Sequence, residues 1–263
     1  MLEVKNLSVQ FLSTPNKWAV DDISFSMADG EILGLVGESG CGKSVTAMAI
    51  TGLLKKKSVR YKGNVLLDGK EMLDTTRDSI RDLQGTDLAM VFQDPLNALD
   101  PVMKVGPQVE EALIVHFPEM SPEERKDRAF KAMETAGLYD LENVYNAYPH
   151  QLSGGMLQRI CIAAAIISAP KLLVCDEPTT ALDVTTQAHI LTQLKRINAE
   201  HGTSVIMISH NLAVVKAICT RVVVMKGGKI VEQGTADEIM KNPVQEYTKK
   251  LIAAIPTREK RYR

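Results

Sequence analysis

The segment that most restricts what this chain can be runs from Ile32 to Ile50. Ile32-Leu33-Gly34-Leu35-Val36 reads as a buried strand, and Val45-Thr46-Ala47-Met48-Ala49-Ile50 as the opening of a helix. Between them lies Gly37-Glu38-Ser39-Gly40-Cys41-Gly42-Lys43-Ser44, the spacing G-x-x-x-x-G-K-S. Glycines let the backbone wrap tightly, so successive N–H groups and the positive helix N-terminus point at phosphate oxygens. Lys43 can then reach the β- and γ-phosphates of a nucleotide, and Ser44 can hold Mg²⁺.

The rest of the chain supplies elements that suit such a loop. Ile23-Ser24-Phe25-Ser26-Met27 alternates apolar and polar residues, and Asp29-Gly30 turns the chain into the next strand. Asn64-Val65-Leu66-Leu67 closes on Asp68-Gly69, a hairpin signal. Leu88-Ala89-Met90-Val91-Phe92 is a strand that delivers Gln93 to its end. From Asp94 to about Ala147, prolines break up helical segments, and Ser121-Pro122-Glu123-Glu124 combines an N-cap, a first-turn proline and a capping glutamate. Leu172-Leu173-Val174-Cys175 reads as a central parallel strand. Between Gln187 and Glu200, Ile190, Leu191, Leu194 and Ile197 share a helical face. Ser204–Ser209 is a strand ending at His210, and Val222–Met225 with Ile230–Glu232 form a hairpin around Gly227-Gly228. Strands alternating with helices predict a parallel sheet covered on both faces.

Asp176 and Glu177 stand at the exit of a buried strand, where ligands of open α/β sheets gather. Phosphoryl transfer needs a metal to neutralise oxygens and an oriented water. Asp176 would hold the Mg²⁺ shell and Glu177 would activate the water. An isolated acidic pair is usually a solvated loop; the strand before it and the phosphate loop upstream reverse that reading.

Composition excludes other classes. With 31 basic and 32 acidic residues the chain has no electrostatic footprint for nucleic acid. No apolar run is long enough to span a bilayer, and Met1-Leu2-Glu3-Val4-Lys5 lacks the core of a signal peptide. The five histidines show no metal-ligand spacing, and the four cysteines no C-x-x-C pair, as expected of reduced cytosolic thiols. Cys41, just before a helix N-terminus, is expected to be the most reactive of them.

Leu152-Ser153-Gly154-Gly155 adds a second, independent motif. With it the chain resembles the ATP-binding-cassette ATPases, whose signature is L-S-G-G-Q. The resemblance implies ATP and Mg²⁺ as cofactors. It implies an α/β fold: a P-loop NTPase (RecA-like) core with an antiparallel β subdomain and an inserted helical subdomain. The cassette would cover 1–250, with the helical subdomain at about 94–160 and a short tail at 251–263. Gly37, Glu38, Ser39, Gly40, Cys41, Gly42, Lys43, Ser44 and Val45 would line the nucleotide phosphates. Gln93 matches the Q-loop glutamine that senses Mg²⁺, Ala181-Leu182-Asp183 the D-loop, and His210 the switch histidine on the γ-phosphate. Phe11 falls where the adenine-stacking aromatic usually lies, with Trp18 as the alternative.

The signature also implies a partner. Backbone N–H groups of Ser153, Gly154 and Gly155 would close on ATP held by a second ATPase subunit, itself or a paralogue, head to tail. Met156 takes the usual glutamine position, and Met156-Leu157-Gln158-Arg159 recurs in the peptide and nickel importer branch. Phe92–Pro101 and Asn242-Pro243-Val244-Gln245-Glu246-Tyr247-Thr248 resemble that branch too. Its members work with two transmembrane permeases and an extracytoplasmic binding protein, on the cytoplasmic face of the membrane. With no cysteine after Cys219 an iron–sulfur cluster is not expected. The short tail tilts the reading toward nickel import. Oligopeptide or dipeptide import is the alternative, and a soluble non-transport cassette ATPase the alternative from another class.

Overall fold

The computed structural model describes residues 1–73, 80–180 and 182–255, which fall into two compact units. The first holds 1–73 and 206–255, and the second 80–180 and 182–205.

In the first unit, β1 (Leu2–Phe11) lies between β2 (Val20–Met27) and β4 (Val59–Leu67), antiparallel to both. Leu2, Val4, Leu7 and Val9 of β1 are buried. The alternation breaks at a register shift between Lys5 and Ser8, where Asn6 takes φ 48°. Asparagine tolerates this left-handed region, and its side-chain amide donates to Asp22 at 3.0 Å. Opposite the bulge, a Cβ on Gly63 would sit 2.3 Å from the backbone oxygens of Lys5 and Asn6, so only glycine fits. Asp68 and Gly69, at φ 48° and 77°, turn β4 into β5 (Lys70–Glu71), the hairpin that the Asp-Gly pair predicts.

The same unit carries β3 (Ile32–Val36), a strand buried along its whole length, as expected of one covered on both faces. It runs parallel to β9 (Arg221–Lys226) and is flanked on its other side by β8 (Ser204–Ser209). Gly227 and Gly228, both at positive φ, return the chain from β9 into the antiparallel β10 (Lys229–Thr235), which α9 (Ala236–Lys241) follows. Helix α1 (Lys43–Ile50) follows β3, and α8 (Leu212–Ile218) presses on it. A Cβ on Gly34 would meet Val215 Cγ1 at 2.4 Å.

In the second unit, β6 (Leu88–Val91) pairs in parallel with β7 (Leu172–Asp176), from Leu88 opposite Leu172 to Val91 opposite Cys175. Between the two strands the chain forms α2 (Pro95–Ala98), α3 (Val105–His116), α4 (Pro122–Thr135), α5 (Leu141–Asn146) and α6 (Gly154–Ile166). Ser121 caps α4, its hydroxyl accepting the Glu124 N–H at 3.2 Å, with Pro122 in the first turn. The capping glutamate is a correction. The Glu124 carboxylate takes Arg128 at 3.4 Å, one turn along, so only the serine half of the expected box forms.

Packing among these helices includes a buried charge. Glu110 on α3 is met by Arg125 at 3.5 Å and accepts the Tyr145 hydroxyl at 2.5 Å. Paired in this way, a buried carboxylate is tolerated. Helix α7 (Val184–His201) buries Ile190, Leu191, Leu194 and Ile197, the face that its periodicity picks out. Among the described residues no helix is long and apolar enough to cross a membrane.

Candidate functional site

The phosphate loop spans the turn from β3 into α1 in the first unit. Gly37 has φ 153°, and a Cβ there would lie 2.2 Å from the Met225 carbonyl oxygen and 2.6 Å from Cys41 Sγ. Gly42, at φ 108°, would place its Cβ 2.6 Å from the Ala19 carbonyl oxygen. Both glycines are therefore required by close backbone approach. Gly42 is also the N-cap of α1 and offers no side chain to the first-turn N–H groups. Ser39 and Gly40, just before this helix start, are exposed, and an uncapped helix N-terminus behind exposed glycine-rich turns suits a phosphate group.

Lys43 is buried, and its ammonium donates to the carbonyl oxygens of Gly37 at 2.8 Å and Glu38 at 2.9 Å. The lysine thus braces the loop from within. Ser44 is exposed in the first turn of α1, and Val45 is half-buried. From behind, Gly228 N–H donates to the Cys41 carbonyl at 3.0 Å, tying the β9–β10 turn to the loop.

Cys41 departs from expectation. Its side chain turns inward, next to Gly37, and burial pushes its thiol up despite the opposing pull of the Lys43 ammonium. Burial thus works against the reactive thiolate expected at this helix N-terminus. Cys161, Cys175 and Cys219 are buried as well.

In the second unit β7 ends at Asp176, which is buried. Glu177 follows at φ 48°, a left-handed conformation uncommon outside glycine and, for a glutamate, held only where the surroundings enforce it. Its Oε2 accepts the Gln93 side-chain amide at 3.2 Å and the Thr180 hydroxyl at 2.8 Å. The structure therefore brings Gln93 and Glu177 together. Thr180 escaped the sequence reading. The signal that could have found it is a hydroxyl three residues past a strand-end carboxylate, across the turn that Pro178 begins.

The signature residues open α6. Ser153 is its N-cap, with a hydroxyl that accepts the Met156 N–H at 3.4 Å. Gly154 is exposed, with nothing within 4 Å of where a Cβ would stand. A Cβ on Gly155 would come 2.9 Å from Thr186 Cγ2. Thr186 in turn donates its N–H to Asp183, the N-cap of α7, at 2.9 Å. That bond, with the Thr186 hydroxyl, holds the Asp183 carboxyl below its ordinary range. Signature and D-loop thus meet within one unit. Of the D-loop, Ala181 lies outside the described residues.

In the first unit His210 is exposed directly after β8, between Ser209 and Asn211, whose side chains hold the neighbouring backbone. Phe11 is half-buried at the end of β1. Trp18 is half-buried too, with the Lys62 ammonium 5.2 Å from its ring centroid. For metal binding, no group of three or more His, Cys, Asp or Glu side chains is placed to hold an ion among the described residues.

The chain is similar to known proteins. Residues 20–180 match the family model described as ABC transporter. A putative peptide import ATP-binding protein of Brucella abortus is 44% identical over 258 residues, 97% of this chain and 77% of that protein. A dipeptide transport ATP-binding protein of Haemophilus influenzae is 45% identical over 258 residues, 97% of this chain and 78% of that one. A dimeric ATP-binding cassette solved in a post-hydrolysis state with ADP and Pi is 29% identical, with a TM-score of 0.80. The match covers 90% of this chain and 99% of that cassette. The fold is accordingly the cassette ATPase fold, mixed α/β with an antiparallel sheet and a helical subdomain. The chain belongs to the ABC transporter family, as an ATP-hydrolysing cassette.

Proposed function

We propose that the chain is the ATP-hydrolysing subunit of an importer for oligopeptides or dipeptides. The observation that carries this reading is a set of relatives, matched over 97–98% of the chain, that are named for peptide, oligopeptide or dipeptide transport. None of these relatives is named for nickel, so the peptide alternative takes precedence over the nickel expectation. The working unit is a pair of cassettes beneath two permeases, at the cytoplasmic face of the membrane, with an extracytoplasmic binding protein delivering cargo. The dimeric state of the matched solved cassette supports the pairing.

Within that reading the cassette comprises residues 1–250, the inserted helical part about 94–160, and 251–263 form a tail. Gly37 to Val45 line the phosphates, and Lys43 supplies the positive charge. Mg²⁺, when bound, neutralises phosphate oxygens; Ser44, Gln93 and Asp176 are the side chains that would hold it. This donor set fits, because Mg²⁺ takes one or two carboxylates plus nucleotide oxygens and water rather than an all-protein cage. Glu177 receives the proton of the attacking water, oriented by Gln93 and Thr180. His210 contacts the γ-phosphate. Phe11 stacks on adenine; the ammonium against the Trp18 ring favours this choice. Ser153, Gly154 and Gly155 close on the partner's nucleotide.

Two measurements test the proposal. A strain lacking the chain should lose uptake of radiolabelled di- and oligopeptides and keep nickel uptake; the reverse outcome would restore the nickel reading. ATPase activity of the purified chain should fall faster than linearly on dilution, and strict proportionality down to dilute protein would refute the paired site.

A further inference from the structure

Tyr247 lies in α10 (Glu246–Ala253), inside the Asn242–Thr248 segment that none of the chemistry above uses. Its hydroxyl oxygen accepts the backbone N–H of Glu38, the second residue of the phosphate loop, at 3.0 Å. The tyrosine is only 9% exposed, and the Lys226 ammonium stands 4.9 Å from its ring centroid. The start of α10 is itself anchored. Glu232 on β10 accepts the N–H groups of Val244 at 2.8 Å and Gln245 at 3.1 Å, and Thr248 is fully buried. The hydroxyl is therefore presented from a fixed base.

On the other side of the same loop residue, the Glu38 carbonyl accepts the Lys43 ammonium at 2.9 Å and the Cys41 N–H at 3.3 Å. One residue thus links the phosphate-binding lysine to the end of the chain. We propose that Tyr247 is a positioning residue for the phosphate loop. By holding the Glu38 amide it keeps the loop's opening turn and Lys43 preformed, and so raises nucleotide affinity. This rests on the reading of Gly37–Ser44 as the nucleotide-phosphate site. The physical reason is preorganisation: a loop already ordered loses less conformational entropy when ligand binds.

Tyr247→Phe tests it, because the ring stays beneath Lys226 and only the hydroxyl goes. Titration calorimetry of the full chain with Mg-ATP, and separately with Mg-ADP, should show Kd raised roughly fivefold for both, the worth of one hydrogen bond. KM for ATP should rise by a similar factor with kcat unchanged. Hydrogen exchange of the peptide covering Leu35–Gly40 should quicken. A purely structural tyrosine would lower the thermal midpoint and leave the Kd of the folded protein where it was; that result overturns the proposal. If Tyr247→Phe does not fold, the wild-type protein decides: a Glu38 amide that exchanges as fast as an open loop overturns the proposal, and a protected one upholds it. Wild-type protein that binds no Mg-ATP would defeat the nucleotide reading itself, a separate failure.

Discussion

The Gln93 carboxamide donates to the Glu177 carboxylate at 3.2 Å, and the register of two strands explains why. Val91 on β6 lies opposite Cys175 on β7 in a parallel pair, and on each side the polar side chain comes two residues later, just past the strand end. The Thr180 hydroxyl reaches the same carboxylate oxygen at 2.8 Å from the turn beyond. Two donors on one oxygen fix the orientation of the carboxylate, which a base acting on a single water requires.

Glu177→Gln should keep ATP binding and lower hydrolysis by about 10²–10⁴-fold, the usual contribution of a general base. The amide is nearly the same size and can still accept from Thr180, so the turn should persist. With hydrolysis blocked, the ATP-bound pair should accumulate, seen by size exclusion with light scattering. Wild-type turnover in this variant would remove Glu177 from the role.

Lys43→Ala should weaken Mg-ATP binding by at least about a hundredfold, since charged hydrogen bonds to the phosphates are lost. The variant should also be less stable without nucleotide, by about 1–3 kcal/mol. The Gly37 and Glu38 carbonyls would lose their shared donor. Calorimetry and urea unfolding read the two effects separately. An unchanged unfolding midpoint would show that the brace contributes nothing to the fold.

Stability should fall at alkaline pH, with two thiols contributing. Burial pushes Cys161 and Cys219 up to about 12 from an ordinary 9.0. Between those values the unfolded chain releases a proton that the folded chain retains. The stabilisation is therefore complete below the unfolded value and is lost as pH rises toward the folded one, by up to about 1.4 kcal/mol per pH unit for each thiol. Cys161→Ala and Cys219→Ala should each flatten the decline in urea midpoint above that lower value. Cys41, buried like them, should resist maleimide until urea opens the fold. Rapid labelling of native protein would contradict its inward placement.

Local sequence carried much of the fold. The G-x-x-x-x-G-K-S spacing announced a strand, a tight loop and a helix because each glycine and the lysine act on neighbours a few bonds away. Asp68-Gly69 and Gly227-Gly228 forced their turns for the same reason. The period of Ile190, Leu191, Leu194 and Ile197 identified the buried side of α7 without any knowledge of what covers it. Ser121 announced a helix start, yet the partner of Glu124 turned on a choice between two nearby donors, and Arg128 won.

Sequence by itself determined the phosphate loop, the strand-end Asp176-Glu177 pair and the family, because those depend on residue types at short, fixed spacings. Tertiary structure alone decided where side chains separated by many residues would meet. It turned the Cys41 thiol inward against Gly37, where desolvation raises its pKa despite the Lys43 ammonium. It placed Gln93 and Thr180 on one oxygen of Glu177 through strand register and a left-handed turn. It also brought Tyr247 to Glu38 across 209 positions of chain. Such contacts depend on how packed elements set each other's position, and no local pattern of residues encodes that.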